Sequence, residues 1–230
     1  MRYFIQDFET RLKEIDEYFQ FIEFIDKIET HRKRKIVVES VEYTPKREIQ
    51  KILRSNSFLL LYNLVESSIR NGILAVYDCI HDESLKYEDL SDRIKEIWLK
   101  HKTKNVQATT KRIQSWLKDL VNEVTESNVV ILERDSINIS GNLDYDNVQK
   151  IINAYGFYGR ITLDEKDVRY ALNKVKTERN LLAHGNKSFC QSGEIITLNE
   201  LIGIKDTTSK YIRELLTNID IHIDQKKYRQ

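Results

Sequence analysis

Apolar residues return every three or four positions over most of the chain, a period that predicts helices. Phe4, Ile5, Phe8, Leu12, Ile15, Phe19, Ile22, Ile25 and Ile28 lay one such stripe along residues 2 to about 31. A second pattern begins at Thr44-Pro45, a capping hydroxyl before a proline suited to a first helical position, and runs to about Cys79. Ser55-Asn56-Ser57 is a point at which it could break. Beyond that point Phe58, Leu59, Leu60, Leu61, Leu64, Val65, Ile69, Ile73, Leu74 and Val76 make the helix apolar on nearly all sides, which marks it as the central one. More helices are predicted from Asp89 to about Lys102, Val106 to about Val124, Leu143 to Ala154 and Asp164 to His184. A capping box, Thr197-Leu198-Asn199-Glu200, opens a last helix or pair of helices reaching about Asp224.

The period fails in a few places. Ile36 to Tyr43 is β-rich and reads as a short extended piece or strand. Val129 to Glu133 and Ser136 to Ile139, around Arg134-Asp135, predict a small hairpin, the one clear β feature. A loop with Phe189 and Gly193 follows the helix ending at His184, and Gln225 to Gln230 reads as frayed and polar.

Composition agrees with a mainly α fold: one proline and seven glycines in 230 residues, with 32% charged and 40% hydrophobic. That length suits one domain with a sizeable core. The formal net charge of +1 does not announce a nucleic-acid binder, so any such contact must come from local patches. Two basic runs qualify: His31-Arg32-Lys33-Arg34-Lys35, and Lys100-His101-Lys102-Thr103-Lys104 with Lys111 and Arg112 nearby. Solvated helix ends are the commoner reason for such runs. Trp98 and Trp116 read as core residues. Cys79 and Cys190 lie far apart with no metal-ligand spacing, which points to a reducing compartment. Acidic residues come too early for a signal peptide and no apolar run is long enough for a bilayer, so the expected location is the cytoplasm, with no membrane partner.

The chemistry concentrates in Glu178-Arg179-Asn180-Leu181-Leu182-Ala183-His184-Gly185, on the last turns of a helix that Gly185-Asn186 would stop. Arg179 is always charged and forked, suited to holding a phosphate and stabilising the charge of a pentacoordinate transition state. His184 can give or take a proton near neutrality, and the helix end favours its protonated form. Asn180 could orient either group. At about 100° per residue the arginine and the histidine point about 140° apart, so a second copy of the motif from a two-fold partner could complete the site. Both residues could equally serve only the terminal carbonyls and the helix dipole.

Asn63, Glu66, Ser67 and Arg70 fall on one side of the central helix. Glu66 could orient His184 or accept a hydrogen bond from a nucleotide, and Asn63 or Arg70 could touch substrate. An i, i+4 pair of Glu66 with Arg70 would explain both charges without a ligand. There is no Gly-rich phosphate loop, no H-E-x-x-H and no cysteine pair near a histidine, so no metal or cofactor is expected. Of the five histidines, His31, His81, His101 and His222 read as surface residues.

Arg179-Asn180-Leu181-Leu182-Ala183-His184 resembles the R-x4-6-H signature of the HEPN superfamily, all-helical domains found in many RNA-cutting toxins and defence proteins. Ser55 to Arg70 is similar to the early core helix of a bacterial HEPN branch. Ser140-Gly141-Asn142-Leu143-Asp144, leading to Tyr155-Gly156-Phe157, is similar to the segment before its motif helix. The resemblance covers most of residues 50 to 190, and the order of the three blocks makes it specific. It implies a HEPN-like up-and-down helical bundle with a small β-hairpin and helical extensions. Residues 1–230 would form a single domain: 1–43 an N-terminal helix and extended segment, 44–190 the core, and 191–230 a C-terminal helical segment. It also implies a metal-independent endoribonuclease acting as a homodimer on an RNA substrate, with Arg179, His184 and Asn180 catalytic. An antitoxin or other partner protein could mask such a site. Some members have lost catalysis, so the alternative is a noncatalytic module binding RNA, a nucleotide or a partner protein.

Overall fold

The computed structural model describes residues 1–30, 35–103, 110–134, 137, 139 and 142–230, with side chains omitted at 29, 30, 38 and 110–112. Eight α-helices stand among the described residues: α1 (Tyr3–Thr30), α2 (Arg47–Asp82), α3 (Asp92–Thr103), α4 (Thr110–Thr125), α5 (Tyr145–Tyr155), α6 (Glu165–Ala183), α7 (Phe189–Glu194) and α8 (Leu198–Asp224). The apolar stripe of α1 is core: Phe4, Phe8, Leu12, Ile15, Phe19, Ile22, Ile25 and Ile28 are all buried.

Pairings along the helices give their directions. The Asn71 side chain of α2 meets Asp7, near the start of α1, and Gln50 reaches the Ile25 carbonyl near its end, so α1 and α2 are antiparallel. Arg213 with Glu9, and Lys205 with Asp16, make α8 antiparallel to α1 as well. Thr162 ahead of α6 meets Glu214, and Tyr170 meets Glu200, so α6 runs against α8. The four long helices therefore alternate up and down around a shared core that extends from Phe4 to Tyr228. No helix among the described residues is long and apolar enough to cross a membrane.

Several boundaries follow from local chemistry. Asp164 caps α6 by accepting from the Lys166 amide, and Thr197 caps α8 by accepting from the Glu200 amide. α2 does not break at Ser55-Asn56-Ser57. Ser55 and Ser57 donate to the carbonyls of Ile52 and Leu53, which satisfies two buried hydroxyls inside the helix. α2 does begin two residues after the predicted proline start, because the chain stays extended through Lys46 (φ −77°, ψ 153°). α7, expected as loop, is a helix with its own capping box between Ser188 and Gln191.

The β-hairpin lies earlier than predicted. Strands β1 (Ile36–Val38) and β2 (Val41–Tyr43) pair antiparallel, Ile36 opposite Tyr43, around a turn in which Glu39 takes φ 55°. The described part of 129–139 forms no strand pair beyond one isolated bridge from Val129 to Lys86. Its alternation is nevertheless real: Val130 and Leu132 are buried while Val129 and Ile131 are exposed. Among the described residues its backbone meets only the loop after α2, where the Val130 amide donates to the Leu85 carbonyl, too short a stretch to make a ladder. Asp135, Ser136 and Asn138 lie outside the described residues.

The C-terminal segment is docked and not frayed. Tyr228 is 1% exposed and donates to Glu83, which also pairs with Lys226 and Arg229. Of the basic runs, residues 31–34 and 104, and the side chains of Lys111 and Arg112, lie outside the described set. Lys102 is half-buried, bonded to Glu123 and lying over the Trp98 ring. Trp98 is buried, whereas Trp116 on α4 is half-buried.

Candidate functional site

The end of α6 is built by its backbone. Gly185 takes φ 68°, the left-handed conformation that glycine enters most easily. The Asn186 amide then donates to the Leu181 carbonyl and the Gly185 amide to Leu182, a Schellman closure with His184 as the C-cap residue. His184 is exposed there, and its imidazole makes no hydrogen bond with any described side chain. Arg179 points elsewhere. Its guanidinium carbon lies 4.2 Å from the centre of the Tyr62 ring on α2, and its Nη1 donates to Asn180 Oδ1 at 2.8 Å. One chain therefore does not bring Arg179 and His184 onto a common face, as the spacing implies.

Three consecutive residues close the side of the site facing α5. The Leu143 amide donates to the Tyr62 hydroxyl at 3.3 Å, and Asn180 Nδ2 reaches Asn142 at 3.4 Å. Asp144, which caps α5 through the Asn147 amide, pairs with Lys176 at 3.3 Å. Tyr62 is 2% exposed. Burial, above all, raises its pKa, while the Leu143 bond acts the other way; Glu66, Arg179 and Asp144 are the charges around it.

The second-tier residues divide. Glu66 is half-buried one turn beyond Tyr62, close enough for its charge to act on the Tyr62 phenol. Arg70, also half-buried, is one turn farther on, and the ion pair with Glu66 that would have explained both charges does not form. Asn63 is exposed and lines a cavity of about 180 Å³ with Arg11, Glu14 and Tyr18 of α1.

Two features of the surroundings escape sequence reasoning. Glu178, beside Arg179, is 3% exposed and accepts from the buried Ser192 hydroxyl of α7 at 2.7 Å. Lys174 and Lys187 approach the same carboxylate at 3.5 and 3.4 Å. It thus ties the chain that follows His184 back to α6. A glutamate on the apolar side of an amphipathic helix was the available signal. Tyr62 was also visible, a phenol within an otherwise aliphatic run, but nothing local says which cation will meet it. His222, expected at the surface, is 3% exposed against Phe157, because α8 turns it into the core. Among the described residues no three His, Cys, Asp or Glu side chains gather in a way that could hold a metal ion.

A family model described as HEPN_MAE_28990-like HEPN matches residues 3–228 of the chain. Nothing among the curated proteins or the solved structures matches it.

Proposed function

The chain belongs to the HEPN_MAE_28990-like HEPN family, and from that premise we propose that it is an RNA endonuclease that needs no metal ion and works as a toxin or antiphage defence component. The substrate's own 2′-hydroxyl is the nucleophile: it attacks the adjacent phosphorus, and the 5′-oxygen of the next nucleotide leaves. Arg179 holds the phosphate and stabilises the charge that builds on its oxygens. His184 moves the proton, as base toward the 2′-hydroxyl or as acid toward the leaving oxygen. Asn180 orients the guanidinium through its carbonyl oxygen. The products are a 2′,3′-cyclic phosphate and a 5′-hydroxyl.

The observation that carries this reading is the state of the two side chains. Among the described residues no carboxylate forms an ion pair with Arg179, and the His184 imidazole is open to solvent on the same helix end. Because they diverge on one chain, the working unit is a homodimer in which a two-fold partner brings its motif to the first. The divergence also supports the second reading, a noncatalytic module that binds RNA, a nucleotide or a partner protein such as an antitoxin.

Purified protein and its His184→Ala and Arg179→Ala variants, incubated with end-labelled RNA in excess EDTA, separate the two. Cleavage by wild type that each variant lowers by about a hundredfold or more to a small residual rate, with ends that mark a cyclic phosphate and no cutting of a 2′-deoxy substrate, is the expected result. Binding that Arg179→Ala weakens and His184→Ala leaves intact, without cleavage, would establish the module instead.

A further inference from the structure

We propose that Tyr62 is the positioning residue of this site: its ring holds the Arg179 guanidinium face-on and leaves its hydrogen-bonding edges and its charge for a phosphate. The inference rests on the ribonuclease reading above.

Other arginines of the molecule are held by carboxylates. Arg169 is bonded to Asp146 and Glu165, Arg213 to Glu9 with two nitrogens, and Arg54 to Asp26. A carboxylate fixes a guanidinium well, but it occupies the fork that would grip a phosphate and cancels the charge. Arg169 and Arg213 lie over rings as well, those of Tyr145 and Phe8, but Arg179 has its ring with no carboxylate among its described hydrogen-bond partners. The aromatic face attracts the cation through its quadrupole while taking up none of its N–H groups. Of five donors, the only described hydrogen bond uses one, to the neutral Asn180 amide.

The ring can perform this because it is itself immobile. Tyr62 is buried in α2, and its hydroxyl accepts the Leu143 amide, so both ends of the phenol are set by backbone. The same bond draws residues 142–144 against α2, where Asn142 and Asp144 meet Asn180 and Lys176 of α6. One side chain thereby sets the height of Arg179 above α2 and the wall beside it.

The test uses the full chain with four changes at two positions: Tyr62→Phe, Tyr62→pentafluorophenylalanine, Arg179→Ala, and the last two combined. Pentafluorophenylalanine keeps the ring's shape and reverses its quadrupole, so a purely packing role would not register it. Tyr62→Phe is expected to keep most of the cleavage, with a melting temperature a few degrees lower for the lost Leu143 bond. The fluorinated ring should lower kcat by about tenfold with KM little changed, and add nothing once Arg179 is alanine. Equal activity of the fluorinated and Phe chains, or an undiminished loss without Arg179, would overturn the proposal. If wild type cuts no RNA, the ribonuclease reading falls, and the same proteins are compared for binding of a 2′-O-methyl RNA. A loss of affinity with the fluorinated ring that requires Arg179 keeps Tyr62 in its role; no such loss, or no binding by wild type, removes it.

Discussion

Two histidines of this protein stand in opposite surroundings. His184 stands exposed at the α6 C-cap, while His222 lies inside, where burial lowers its pKa to about 4. Burial is the main cause and nearby Lys227 adds to it, while the Gly156 backbone acts weakly the other way, so the neutral ring is the form that the core tolerates. In the unfolded chain the same side chain titrates at about 6.5. Its folded pKa is the lower one, so between the two values the unfolded state binds more protons. This contribution to stability is complete above about pH 6.5 and is lost as pH falls toward about 4. Calorimetric melts from pH 7.5 to 4 should therefore show a falling Tm, and His222→Leu should flatten that slope.

At the scale of elements, α7 determines how firmly the motif end is supported. Gly193 lies so close to α2 that an added Cβ would stand 1.8 Å from the Lys51 carbonyl oxygen. Gly193→Ala must move one backbone away from the other, and a loss of about 3 kcal/mol is expected in urea unfolding, as for overpacking of a tight core. Gly185→Ala meets open space and bears only the left-handed backbone penalty, about 1 kcal/mol. Faster proteolysis between 184 and 197 in the first variant, and not in the second, would locate the damage at α7. The sequence already shows the long helices, since the stripe of α1 and the caps at Asp164 and Thr197 are local signals. It does not show α7, six residues long and held by Glu178 fourteen positions before Ser192. The position of the hairpin is hidden for a related reason: alternation announces an extended chain but not whether a second strand lies beside it. Within the site, Arg179, Asn180 and His184 are visible as residue types in a spacing. The Tyr62 ring under Arg179 is not, because it depends on two helices meeting 117 positions apart.

The whole molecule is held together at the far end from chain order. Arg2 bonds to Asp220 and Asp224, and Glu83 at the end of α2 gathers Tyr228, Lys226 and Arg229. The last six residues, polar in sequence, thus close one end of the bundle through a single buried ring. Tyr228→Ala is expected to cost about 3 kcal/mol, the loss typical of an aromatic truncated in a core, and Tyr228→Phe about 1 kcal/mol for the hydrogen bond. Denaturant midpoints of the two variants check the ratio. The Arg2 clasp has a different kind of consequence. With the residue just before α1 bonded to the last two turns of α8, the path of the polypeptide is nearly a ring, and the place where it is cut is arbitrary with respect to packing. A short linker across that junction, with a new opening at the Glu39–Ser40 turn, would give a circular permutant in which the same helices meet in the same order around Tyr62 and Arg179, although no two of them would be numbered as before.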